Sequence, residues 1–446
     1  MRRSETAHPL INNRPQRPND DRRAGTDLSL PRDAPSIMDE RVREHAAVLV
    51  DWSARIEAGD DVVVSVAEDA HDLGVAVAEA LGERGANVTT LYGSDELSRA
   101  YLKGAEAGSE GDGDDGSDAS DDGDASDDGD TSDDGSDASD GAAPVFDDDP
   151  AVDRAIFEAA DAYLRIGGGR NTTATADVDR ETRRAYATAR KGVREARMDT
   201  DWVSTVHPTR SLAQQAGMAY EEYQDFVYDA VLRDWAALAD EMAHMKDVLD
   251  AGDEVRIVTE RDDAPDTDVT MSIAGRTAVN SAASVAYDSH NLPSGEVFTA
   301  PYDTAGEAFF DVPMTIDATR VRNVHLVFED GEVVDFSAET GEDALESVLD
   351  TDAGARRLGE LGIGMNRGID RFTDSILFDE KMGDTVHMAV GRAYDACLPD
   401  GESGNDSAVH VDMISDVSEN SRMEVDGEVV QRDGTFRWEA GFEADE

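Results

Sequence analysis

Residues 61–92 constrain the fold more than any other stretch of this chain. Asp61-Val62-Val63-Val64-Ser65-Val66 reads as a strand, and 71–86 as a helix closing at Gly85. Asn87-Val88-Thr89-Thr90-Leu91-Tyr92 reads as a second strand. A strand, a crossover helix and another strand place both strands parallel in one sheet. An amphipathic helix is expected before this unit, opening at Met38 and burying Val42, Ala46, Leu49, Val50 and Ile56. A short helix from Asp95 to Tyr101 follows it.

The expected architecture is α/β with two domains. The first, residues 38–250, carries the parallel sheet. It is interrupted at about 105–149, where Asp, Gly, Ser and Ala take over. Residues 111–140 contain 14 Asp and no basic side chain. Such a run buries too little apolar surface to offset its ordering entropy, so it reads as a solvated insertion. Its DxDxDG-like fragments lack the Glu that a calcium loop needs at its twelfth position. The fold resumes with a helix from Ala151 and a strand at Ala162–Ile166. Residues 174–250 are expected to be mostly helical, with one helix from Glu221 to Leu249. Trp202, His207-Pro208-Thr209 and Ala213–Ala216 are placed in connections or helix starts. Residues 1–37 lack hydrophobic periodicity and read as disordered. They are either an extension preceding a start at Met38 or a flexible arm.

The second domain, 251–446, is expected to be mixed α+β. Short β-like runs are read at 254–259, 269–273, 284–287, 297–299, 324–328 and 333–337. Asp330-Gly331 gives the clearest hairpin signal.

Charge narrows the partners. The chain has 446 residues, 100 Asp+Glu against 40 Lys+Arg, and a formal charge of −60. Nucleic-acid backbones and anionic membranes would be repelled. Self-repulsion on this scale is best tolerated where salt screens it, which points to a salt-rich cytosol. No run reaches the ~18 apolar residues of a membrane helix. The N-terminus has no apolar segment of the secretory type, and one cysteine, Cys397, allows no internal disulfide. A cytoplasmic location is expected.

The informative residues lie in the second domain. His410 and Asp412 form an HxD pair; on a strand, i and i+2 share a face and can bind one metal together. Imidazole plus carboxylate suits zinc or cobalt. His387 lies in ILFDEKMGDTVHMAVGRAY, Glu296 in NLPSGEVFTAP and Glu360 in GELGIGMN. Two Glu, two His and one Asp suffice for a two-metal hydrolytic site. Acidic residues are so common here that carboxylate pairs also arise by chance. His325 reads as structural, His45, His71, His207, His244 and His290 as surface or core, and Cys397 as a bystander.

Taken as strings in order, NLPSGEVFTAP, GELGIGMN, LFDEKMGDTVHMAVGRAY and HVDMI resemble the M29 family of metallo-aminopeptidases, the aminopeptidases T and S. WVSTVHPT, LAQQAGM and TDVTMSIAGR extend the resemblance over most of the chain from Met38. It implies Glu296, Glu360, His387, His410 and Asp412 as ligands of two divalent ions (zinc, cobalt, manganese or magnesium). It further implies Glu360 as general base and Tyr394 as the catalytic tyrosine. The implied activity is removal of N-terminal residues from short peptides by metal-activated water, in a homodimer. It leaves open which carboxylate bridges the ions. Two other readings stand beside it. One is a metal-dependent amidase or dipeptidase acting on another small amide. The other is a non-catalytic α/β ligand-binding protein using Gly167-Gly168-Gly169-Arg170-Asn171 as a phosphate loop, although GxGxxG spacing and a Walker lysine are missing.

Overall fold

The computed structural model describes residues 38–110, 146, 149–316, 319–399 and 401–443. The first 37 residues and the acidic run at 111–145 lie outside the described residues. The strand–helix–strand unit forms as its pattern dictates. Asp61–Ala67 (β1) and Asn87–Gly93 (β2) pair in parallel, joined by the helix His71–Arg84. Gly85 stops that helix at φ +82°, its N–H returning to Leu81 and Gly82 carbonyls. Ala162–Gly167 (β3) and Asp201–Val206 (β4) extend the sheet in the order β2-β1-β3-β4.

From residue 254 onward, strands dominate. They are Glu254–Thr259 (β5), Thr267–Ser272 (β6), Val279–Ser281 (β7), Asn291–Leu292 (β8), Glu296–Thr299 (β9), Tyr302–Phe310 (β10) and Met314–Ile316 (β11). Then come Thr319–Glu329 (β12), Glu332–Thr340 (β13), Leu358–Gly364 (β14), Thr385–Gly391 (β15), His410–Asp416 (β16), Ser421–Val425 (β17), Glu428–Arg432 (β18) and Thr435–Phe436 (β19). One antiparallel sheet runs β11-β12-β10-β6-β5-β17-β18-β19, with β13 also on β12. Asp330 and Gly331 both adopt positive φ in the β12–β13 hairpin, as a two-residue turn of the primed type requires. A second antiparallel sheet runs β16-β15-β14-β9-β7. Strand β8 leaves these and pairs in parallel with β4.

Four expectations need correcting. The helix expected over 221–249 is two helices, Tyr220–Val231 and Trp235–Ala251. Asp234 restarts the second by accepting the Ala237 N–H, an N-cap that an unbroken apolar stripe hides. Ser284–Tyr287 is no strand: Val285–Tyr287 is a short 3-10 turn, with the Ser284 hydroxyl accepting from Ala286 N–H. Trp202 lies within β4, whereas Thr209 does cap a helix start. The helix from Asp95 runs to Glu110, well past Tyr101 and about six residues into the proposed insertion. Its hold is specific: Leu102 is buried, and Glu106 accepts the Asp179 N–H at 2.7 Å.

Among the described residues no helix is long and apolar enough to cross a membrane. The Gly167–Asn171 loop is already engaged. Asn171 N–H donates to Asp95 at 2.9 Å and the Ser211 hydroxyl to the Gly169 carbonyl at 2.5 Å. The Asp95 carboxylate thus lies against this loop, where its charge would oppose a phosphate.

His45 joins the first helix, Glu40–Ala47, to the parallel sheet. It is fully buried, with Nε2 2.8 Å from the Thr205 hydroxyl. Burial, helped by His207, pushes its pKa down to about 3. An unfolded imidazole binds a proton near pH 6.5, whereas the folded one resists until about 3. This contribution is therefore complete above pH 6.5 and lost as pH falls. Between pH 6.5 and 5 it should remove about 2 kcal/mol. Urea midpoints for the wild type and His45→Gln, taken at pH 7.5 and 5, check this. The wild type should lose more stability than the variant over that interval, and parallel losses would refute the assignment.

Candidate metal centre

The β16-β15-β14-β9-β7 sheet positions the charged residues. Both β14 and β15 are buried along their whole length. Glu296 opens β9, Glu360 lies on β14, His387 on β15, and His410 and Asp412 on β16. In register, Gly362 stands between Phe298 and His387, and Ala389 between Glu360 and Asp412. Small residues thus alternate with the long polar ones and leave room above the sheet. A bulge at Gly359 shifts the β14–β15 pairing and re-aims Glu360. A side chain at Gly359 would strike the carbonyls of Gly391 and Arg392.

Five residues expected to be ligands converge in two groups that share one carboxylate. Glu296, Glu360 and His387 form the first; Glu360, His410 and Asp412 form the second. His387 Nε2 lies 3.2 Å from Glu360 Oε1 and 3.6 Å from Glu296 Oε2. His410 Nε2 lies 3.2 Å from Glu360 Oε2 and 3.6 Å from Asp412 Oδ1. His410 Nδ1–H donates to the Arg392 carbonyl at 2.8 Å, which turns Nε2 inward as a ligand atom. Glu296 Oε2 is buried without a hydrogen-bond partner. An orphaned carboxylate oxygen within reach of an imidazole is what a cation site leaves when only protein atoms are counted, so the donor set fits divalent metal.

The electrostatics agree. Burial raises the Glu296 carboxyl, and Lys381 and His387 offset this only in part. Burial also disfavours ionised Glu360, but hydrogen bonds from His387 and His410 outweigh it and hold the carboxyl below its ordinary range. Desolvation opposes the charged His410, yet Asp412 and Glu360 together raise its pKa to about 11. Three carboxylates here attract any available positive charge, and a metal would compete with protons on the imidazoles.

Tyr394 follows β15. Its ring is half-exposed, 5.0 Å from the His410 ring and 5.6 Å from that of Phe298. Burial first, and then Glu360 and Asp412, raise its phenol above the ordinary value. His325 faces Glu307 across neighbouring strands at 3.0 Å, away from this cluster. Cys397 is buried beside Val279, Ala300 and Ala393.

Two residues of the site carried no expectation. Lys381 is fully buried, pairs with Glu380, and brings Nζ within 3.7 Å of Glu296 Oε1. Being one of four lysines in the chain was its available signal. Gly362 lies directly under His387, where an added Cβ would collide with ring atoms Cε1 and Nε2. Its signal was a strand, LGELGIG, with a glycine at every second or third place.

Fold and site together define an α/β protein whose clustered carboxylates and imidazoles could hold divalent metal. Residues 140–437 match the family model described as thermophilic metalloprotease (M29). The chain belongs to that family. Aminopeptidase T of Thermus thermophilus is 38% identical over 157 residues, covering 32% of this chain and 37% of the relative. Aminopeptidase 2 of Geobacillus stearothermophilus is 37% identical over 140 residues, covering 28% and 33%. These alignments span about a third of the relatives' length. The solved structure of wild-type AmpT from Thermus thermophilus superposes with a TM-score of 0.70 at 25% identity, over 89% of this chain and 99% of that one.

Proposed function

We propose that this chain is a metal-dependent aminopeptidase that removes N-terminal residues from short peptides and works as a homodimer. The observation that carries this reading is the position of Glu360, whose two oxygens face the two ligand groups separately. Glu296, Glu360 and His387 would hold one divalent ion, and Glu360, His410 and Asp412 would hold the other. Ions held there would acidify water and polarise the scissile carbonyl. Glu360 would accept the proton of the attacking water and return it to the leaving amine. Tyr394, a phenol already protonated at neutral pH and raised further by burial, would donate a hydrogen bond to the developing oxyanion.

The assay is hydrolysis of leucyl-nitroanilide in molar potassium chloride. Activity should disappear with chelator and return with zinc, cobalt, manganese or magnesium. An N-blocked equivalent should not be cleaved. Cleavage of blocked and free substrates alike would favour a different small amide. Full activity in chelator would refute the metal site.

A further inference from the structure

Strand β16 is the last strand of its sheet, so one of its edges faces away from β15. The Arg392 N–H donates to the Val409 carbonyl at 2.8 Å, which turns the odd-numbered backbone groups of β16 toward β15. The even-numbered ones face outward. The segment after β10 covers part of this edge. Val312 N–H donates to the Ile414 carbonyl at 3.2 Å, and Asp311 accepts the Asp416 N–H at 2.9 Å. The cover stops there. Among the described residues, no hydrogen bond engages the outward N–H and C=O groups of His410 and Asp412. These are the two residues whose side chains belong to the metal centre.

Beside this bare edge lies a cavity of about 870 Å³ that His410 and Asp412 help to line. Its other walls include Val312, Met314, Ile316, Val348, Phe372 and Ile376. A row of unpaired backbone groups is a template for another extended chain, and the trough beside it, in which Thr315, Ser347, Asp374 and Asp379 stand among the apolar walls, can accept alternate side chains.

We propose that the peptide substrate docks as an added strand on the His410–Asp412 edge of β16, its residues beyond the scissile bond running into this cavity. The proposal rests on the peptidase reading and names how that substrate is held. Recognition is then through main-chain hydrogen bonds. The strand that supplies two metal ligands with its side chains would grip the substrate with its backbone.

An extended strand turns successive amides to opposite sides, which gives the test a signature of period two. The probe is Leu-Gly-Gly-Gly with its first amide reduced to CH2–NH, so that it is not cleaved. Two further versions replace the amide N–H of residue 3 or of residue 4 by an ester oxygen. Calorimetry on the metal-loaded protein compares the three. One replacement should weaken binding about tenfold and the other less than twofold. Equal effects, or none, at both positions would overturn strand docking. Turnover of leucyl-nitroanilide and Leu-Gly-Gly-Gly is measured in parallel. No turnover with the alternation intact would sink the peptidase reading and leave the docking standing. Turnover without the alternation would do the reverse.

Discussion

Glu360→Gln should lower leucyl-nitroanilide hydrolysis by on the order of 10³-fold or more, equivalent to about 4 kcal/mol of barrier. The amide preserves size, and Glu360 is buried between two imidazoles, so the β14 backbone has no steric reason to move. What changes is charge. One carboxylate serves both ligand groups, and neutralising it weakens both together. Metal content after dialysis, measured alongside rates, separates the two roles assigned to this side chain. A fall in bound metal identifies the shared ligand as the dominant role. Two ions retained with turnover lost would identify proton transfer instead. Near-wild-type turnover would remove Glu360 from the centre altogether. Substituting Glu296 should be milder, since it stands in one group only.

Gly362→Ala should cost about 10²-fold in activity, through the addition of one methyl group. The new Cβ would occupy space held by His387 Cε1 and Nε2, so the imidazole has to swing away from Glu296 and Glu360. A misplacement of about 1 Å near reacting groups is enough for such a loss. Gly362 has no left-handed φ, so β14 accepts alanine without backbone strain. Circular dichroism should therefore be unchanged while metal titration shows weaker binding. In a His387→Ala background the same change should add little, because its target is gone. A fully active Gly362→Ala enzyme would mean that His387 does not need its present position.

These residues also explain what could be read from sequence. The HxD pair is legible because alternation on a strand is local: His410 and Asp412 need only one extended segment to share a face. The parallel unit at 61–93 is legible for the same reason, and its strands and helix stand where their periodicity put them. Glu360 is harder. LGELGIG carries three glycines, which disfavour strand locally, and only burial between β9 and β15 makes it one. Lys381 and Gly362 are harder still, because their importance comes from neighbours 85 and 25 residues away, at Glu296 and His387. The break at Leu232–Asp234 is not legible in the sequence, because apolar spacing continues through it and the cap that restarts the helix is a single aspartate among many. In so acidic a chain, one carboxylate tells little until its partners are known.

The brief pairing of β8 with β4 bears on heredity. Asn291 and Leu292 lie beside Ser204 and Thr205, and His290 stacks on Trp202 at 4.4 Å. Glu296 follows four residues later, so a candidate ligand encoded in one half of the gene is anchored on a strand encoded in the other. Recombination that exchanged only the later half between relatives would bring in a Glu296 whose mooring had been shaped against a different β4. The two stretches are therefore expected to have descended together, each accepting changes mainly when the other could accommodate them.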